Sequence, residues 1–159
     1  MTEEWTSSEP VTQDMKLYVK AYFSSFSVNS SGTLSLVGNT TDVPYDAYIP
    51  SSINNQKVLS LGNWLFASDN NLRSVIFEEG ITNLGYYSFG YCGGLEEVML
   101  PSSLTNLSEY AFYSCENLKK VTMGNNVKNI GMMAFKYCSS LSDINFSESP
   151  ETIGKAAFA

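Results

Sequence analysis

Phenylalanine recurs at one fixed interval: Phe66, Phe89, Phe112, Phe135 and Phe158 stand 23 residues apart. Other columns keep the same step. Leu61, Leu84, Leu107, Ile130 and Ile153 form one, and Leu72, Leu95, Leu118 and Leu141 another. Val75, Val98, Val121 and Ile144 follow, then Phe77, Leu100, Met123 and Phe146, and finally Cys92, Cys115 and Cys138. No insertion interrupts them from Leu61 to Phe158. A period of this length marks a chain in which each unit buries its apolar face only against its neighbours.

One unit reads Leu95-x-x-Val98-x-Leu100-Pro101-x-x-Leu104-x-x-Leu107-x-x-x-Ala111-Phe112-x-x-Cys115. Apolar residues at its first, fourth and sixth places give a short strand, because alternate side chains of a strand point to opposite faces. Val98 and Leu100 then face inward, and Glu97 and Met99 outward. The next stretch carries Gly62, Gly85, Gly131 and Gly154, with Ser108 in one unit, which suits a turn. After it, the Ala-Phe pair predicts one helical or 3-10 turn that plugs the coil with its ring. The fold class is therefore an α/β repeat: a solenoid with short parallel strands on its concave side and short helical turns opposite.

The pattern resembles the BspA-like, treponemal-type leucine-rich repeat family. Val121-Thr-Met123, Val127-Lys-Asn-Ile130-Gly131-Met-Met-Ala134-Phe135-Lys-Tyr-Cys138 and their counterparts in each unit carry the resemblance. It covers roughly residues 45–159. It implies a module for adhesion or partner binding, of the kind found mainly in bacterial surface and secreted proteins.

The chain divides into three parts. Residues 1–14 are polar and acidic and read as a loose arm. Residues 15–44 read as an N-terminal cap built on a β-hairpin, with Phe26-Ser-Val28 and Leu34-Ser-Leu36 flanking Asn29-Ser-Ser-Gly32. Residues 45–159 form about five 23-residue units, the last cut short. The first unit is irregular, and Asn54-Asn55 in its insertion suggests a small surface hairpin.

Composition narrows the chemistry. The 159 residues include no histidine, which removes the usual general base and the commonest metal ligand. Three cysteines 23 residues apart match no short zinc-ligand spacing, and buried free thiols are the expected state. Glu78-Glu79 and Glu96-Glu97 belong to alternating charge rows, Arg73-Glu96-Lys119 and Ser74-Glu97-Lys120-Asp143, not to an acid/base pair. The reading is a protein without catalytic residues, metal or cofactor. Net charge is −7 with a single arginine, which argues against a nucleic-acid ligand. No run approaches the ~20 apolar residues of a membrane helix. Met1-Thr-Glu-Glu-Trp5 shows no signal-peptide pattern, which permits a cytoplasmic location, whereas the resemblance implies the surface.

Trp64, Tyr86, Tyr87, Tyr91, Tyr110, Tyr113 and Tyr137 cluster after the glycine. Ring packing with wet hydroxyls accounts for them, and interfaces are the other common use of such residues. The expected function is a non-catalytic binding scaffold that uses the concave face. The alternatives are an intracellular inhibitor of one protein target and a spacer within a larger surface protein. On the concave face Tyr48, Ile76, Met99, Thr122 and Asn145 form a column that runs from apolar to polar. Tyr48, Ile76 and Met99 are the expected anchor, and Glu97 and Glu78 an acidic rim that favours a basic protein partner. The last unit, with Ile144, Phe146 and Ile153, is expected to recruit a second chain in an end-to-end dimer.

Overall fold

The computed structural model describes residues 26–36, 46–146 and 150–159. In chain order its strands are β1 (Phe26–Val28), β2 (Thr33–Leu36), β3 (Asp46–Ile49), β4 (Ser52–Ile53), β5 (Gln56–Lys57), β6 (Ser60–Leu61) and β7 (Ser74–Phe77). They continue as β8 (Glu97–Met99), β9 (Asn106–Leu107), β10 (Lys120–Thr122), β11 (Asn129–Ile130), β12 (Asp143–Asn145) and β13 (Thr152–Ile153). Each coil contributes to three sides.

The first side is a five-stranded parallel sheet in the order β12-β10-β8-β7-β3. Its register joins equivalent residues of successive coils, so Ala47, Val75, Val98, Val121 and Ile144 lie in one row. Burial fixes that register. Val75, Val98 and Val121 are buried in the core, and a slip of one residue would turn the whole row out to water.

The second side is narrower. β9, β11 and β13 pair in parallel, and single bridges from Asn106 to Asn83 and from Asn83 to Ser60 carry the ladder on to β6 and β2. Next to it runs the glycine column, whose role is not the turn that the sequence suggests. A Cβ on Gly85 would lie 2.3 Å from the Gly62 carbonyl oxygen, and one on Gly131 would lie 2.5 Å from the Glu109 nitrogen. These glycines let neighbouring coils touch backbone to backbone. Ser108 departs from the column, and its hydroxyl donates to the Leu84 carbonyl.

The third side overturns the expected helical or 3-10 turns, since the described residues contain no helix. Two residues per coil lie instead in the left-handed region. Trp64, Tyr87, Tyr110, Met133 and Ala156 form one such column, and Ser68, Tyr91, Ser114 and Tyr137 the other. The reason is where the amides donate. Phe66 N–H donates to Ser88 O at 2.8 Å, Phe89 to Ala111 at 2.9 Å, Phe112 to Ala134 at 2.9 Å and Phe135 to Ala157 at 2.8 Å. A helix would keep these donors inside its own segment. Spending them on the next coil stitches the coils together and offsets a left-handed cost of about 1–2 kcal/mol per residue.

Inside, the phenylalanine column stacks. Successive centroids from Phe66 to Phe158 are 5.1, 5.2, 5.4 and 5.3 Å apart, with planes within 10° of parallel. Beside it the cysteines are free. The Cys92, Cys115 and Cys138 thiols each donate to a phenylalanine carbonyl of the preceding coil, at 3.0, 3.1 and 3.1 Å.

At the N-terminal end β1 and β2 pair antiparallel across Asn29-Ser-Ser-Gly32, where the Asn29 side chain accepts from the Ser31 and Thr33 amides. The Phe26 ring lies 5.8 Å from Phe66. The arm 1–14, the rest of the expected cap up to residue 25, and residues 37–45 fall outside the described residues. β4 and β5 form the small hairpin at Asn54-Asn55, both residues left-handed, as a tight two-residue hairpin turn requires.

Candidate functional site: the five-stranded face

The column between the inward rows faces out, as the alternation of a strand requires. The register pairs Tyr48 with Ile76, Ile76 with Met99, Met99 with Thr122 and Thr122 with Asn145. Tyr48, Ile76 and Thr122 are half-buried, and Met99 is 41% exposed. Three adjacent apolar side chains therefore share one patch of surface that the core does not need. The structure brings the anchor residues together in the order given by the sequence.

The two carboxylates differ. Glu97 is half-buried in the row beside the column, between Ser74 and Lys120. Glu78 is engaged inside the first irregular coil, where its carboxylate accepts from the Ser51 amide at 2.8 Å and the Ser51 hydroxyl at 2.7 Å. It also accepts from the Tyr48 hydroxyl. Burial first, and then the Glu78 charge and hydrogen bond, push the Tyr48 phenol up to about 12. Glu78 thus fixes the Tyr48 side chain at the N-terminal end of the patch. Sequence reasoning missed Ser51, because it lies in the coil that breaks the repeat.

The charge row behind the face is present. Lys119 Nζ lies 2.6 Å from Glu96 Oε2, and that hydrogen bond holds the Glu96 carboxyl below its usual range. Both groups are substantially exposed, so the pair is worth at most about 1 kcal/mol.

A depression lined by Ser74, Ile76, Glu97, Met99, Lys120 and Thr122 has a volume of about 30 Å³. That is room for a water molecule, not for a small-molecule ligand. Among the described residues no group of three or more Cys, Asp or Glu could hold a metal ion. No described helix is long and apolar enough to cross a membrane. The face offers contact area for a large partner, without a cleft that would isolate a reacting atom from water.

The third side carries the most exposed rings. Trp64 is 51% exposed, Tyr91 43% and Tyr86 39%. Trp64 stacks on Tyr87 at 4.2 Å and 10°, and Tyr87 on Tyr110 at 4.7 Å and 23°. Packing explains the contacts among these rings but not their exposure.

Stacked parallel coils, an apolar strand row and a plugging aromatic in every unit define the class: a leucine-rich-repeat solenoid. The description "BspA type Leucine rich repeat region" matches residues 44–159 in six copies, and the chain belongs to that family. Three solved structures are similar. The Treponema pallidum leucine-rich repeat protein is 18% identical, with a TM-score of 0.53 over 81% of this chain and 82% of that one. A leucine-rich repeat protein from Bacteroides capillosus is 23% identical, with a TM-score of 0.60 over 77% and 93%. The pneumococcal vaccine antigen PcpA is 23% identical, with a TM-score of 0.62 over 82% of this chain, which spans only 34% of PcpA. At these identities the likeness is one of fold. No curated protein sequence matches the chain.

Proposed function

We propose that this protein is a non-catalytic binding scaffold that holds a basic protein partner against its five-stranded face. Tyr48, Ile76 and Met99 anchor the partner, and Glu97 and Glu78 give the margin its acidic character. The observation that carries this reading is the in-register, outward-facing Tyr48–Ile76–Met99 patch on a sheet whose core lies on its other face. Contiguous exposed apolar surface of this kind marks interaction sites. The hairpin β1–β2 serves as the cap of the solenoid, since Phe26 lies against the first ring of the phenylalanine stack. The test is a comparison of two baits, the protein itself and its Ile76→Ser/Met99→Ser variant. A protein that binds the first and is lost from the second supports the reading; proteins captured equally by both contradict it.

The last coil supports a second copy of the chain as a further partner. Ile153 is 57% exposed, Phe158 42% and Phe146 39%, while β12 and β13 each pair on one side only. Open strand edges beside exposed apolar side chains recruit further strands. Light scattering should give a dimer mass that Ile153→Ser/Phe158→Ser reduces to a monomer. A monomer for the unaltered chain at high concentration contradicts the dimer.

A further inference from the structure

We propose that the aromatic ridge on the third side, formed by Trp64, Tyr86, Tyr87, Tyr91 and Tyr110, is a second binding surface, and that its ligand is an uncharged proline-rich peptide in the polyproline II conformation. The first argument comes from the backbone. Trp64, Tyr87, Tyr91 and Tyr110 all occupy left-handed positions, where a side chain is disfavoured. The same positions of other coils hold Ser68, Ser114, Met133 and Ala156, so the fold itself asks for no ring there. Large rings have been placed on strained positions and left in water, and strain of this kind gathers at ligand sites.

The second argument is the shape left open. Trp64, Tyr87 and Tyr110 spend their faces on one another, at 4.2 and 4.7 Å. Tyr86 stands edge-on to Tyr87 at 4.6 Å. What a ligand meets is a row of ring edges with phenol hydroxyls and the indole N–H. A pyranose ring binds by laying its C–H face on an open aromatic face, and this row does not offer one between its rings. A polyproline II strand has the complementary needs, because its backbone carbonyls are unpaired and point outward for donors. Such segments dock on surfaces lined by aromatic rings.

Charge and spacing agree. Burial first, and then the neighbouring phenols Tyr91, Tyr86, Tyr110 and Tyr113, raise the Tyr87 hydroxyl to about 12, so it is a neutral donor at physiological pH. No carboxylate or ammonium belongs to the ridge, which therefore recognises its ligand without ion pairing. Coils repeat at about 4.8 Å. Two coils thus span about 9.6 Å, close to the roughly 9.3 Å of one three-residue polyproline II turn. A strand along the solenoid axis would meet equivalent rings once per turn.

The test is calorimetric titration with a short oligoproline, a glycine-serine peptide of equal length and a neutral oligosaccharide. The oligoproline alone should bind. Tyr91→Ser and Trp64→Ala should each weaken it by about tenfold or more. Both substitutions introduce residues that this repeat already carries at equivalent positions, Ser68 and Ser114 for the first and Ala156 for the second, so the melting temperature should hold. Ile76→Ser/Met99→Ser should bind oligoproline normally, which separates this surface from the five-stranded face. No heat with oligoproline, or equal binding by both ridge variants, would overturn the proposal. Binding of the oligosaccharide in its place would assign the ridge to glycans and overturn the peptide.

Discussion

The ring of Phe112 lies 5.2 Å from that of Phe89 and within 8° of parallel to it, though 23 residues of chain separate them. Phe135 stacks on the opposite face of Phe112 at 5.4 Å. Both neighbours are themselves fixed by inter-coil hydrogen bonds, so little can relax into the space that a truncated ring leaves. Phe112→Ala should cost about 3–5 kcal/mol in urea unfolding, as for a buried phenylalanine in a rigid core. A loss below about 1 kcal/mol would show that the column is not the core.

Gly85 is held by the backbone of another coil, not by a turn. An added methyl would meet the Gly62 carbonyl carbon at 2.4 Å and the Asn63 nitrogen at 2.6 Å, neither of which can move without opening the ladder. Gly85→Ala should destabilise the protein by about 1–3 kcal/mol, the usual cost of overpacking. An unchanged thermal midpoint would mean that the coils are not in backbone contact.

The three thiols should label in a definite order. Cys92 and Cys115 are fully buried and Cys138 only partly. Burial holds the Cys115 thiol well above its usual range and deprives it of the reactive thiolate. A native-state thiol-labelling time course should show Cys138 first and Cys115 only on unfolding. Fast labelling of Cys115 in the native protein would contradict the buried column.

Tyr48 gives a dependence on pH. Its folded phenol titrates at about 12, against 10.0 when unperturbed, mainly through burial and then through Glu78. The folded state therefore favours the protonated phenol. That contribution is complete below pH 10 and is lost as pH rises through 12. Alkaline unfolding followed by circular dichroism should show a smaller fall in stability over this window for Tyr48→Phe than for the unaltered chain. Identical slopes would remove Glu78 as a partner of Tyr48.

Much of this architecture is written in the sequence because the repeat converts spacing into contact. Val75, Val98 and Val121 share a row since a parallel in-register sheet places residues 23 apart side by side. The column of Tyr48, Ile76 and Met99 follows from the same rule. The left-handed residues do not, because Trp64, Tyr87, Tyr110, Met133 and Ala156 share no residue type that favours that conformation. An Ala-Phe pair between two polar stretches suits a helical turn equally well until the destination of its amides is known. The Ser51–Glu78 contact was hidden for the opposite reason, since Ser51 sits where an insertion breaks the period.

The account rests on the five-stranded face being a partner surface and not merely the outside of a solenoid. The most direct measurement is the affinity of the captured partner for the unaltered chain and for Ile76→Ser/Met99→Ser, with both melting temperatures recorded. The two side chains lie side by side in the outward column, half-buried and 41% exposed. Their loss should weaken binding by more than about 2 kcal/mol, the scale of an interface hot spot, and leave the melting temperature nearly unchanged. Equal affinity for the two proteins would contradict a binding site on this face.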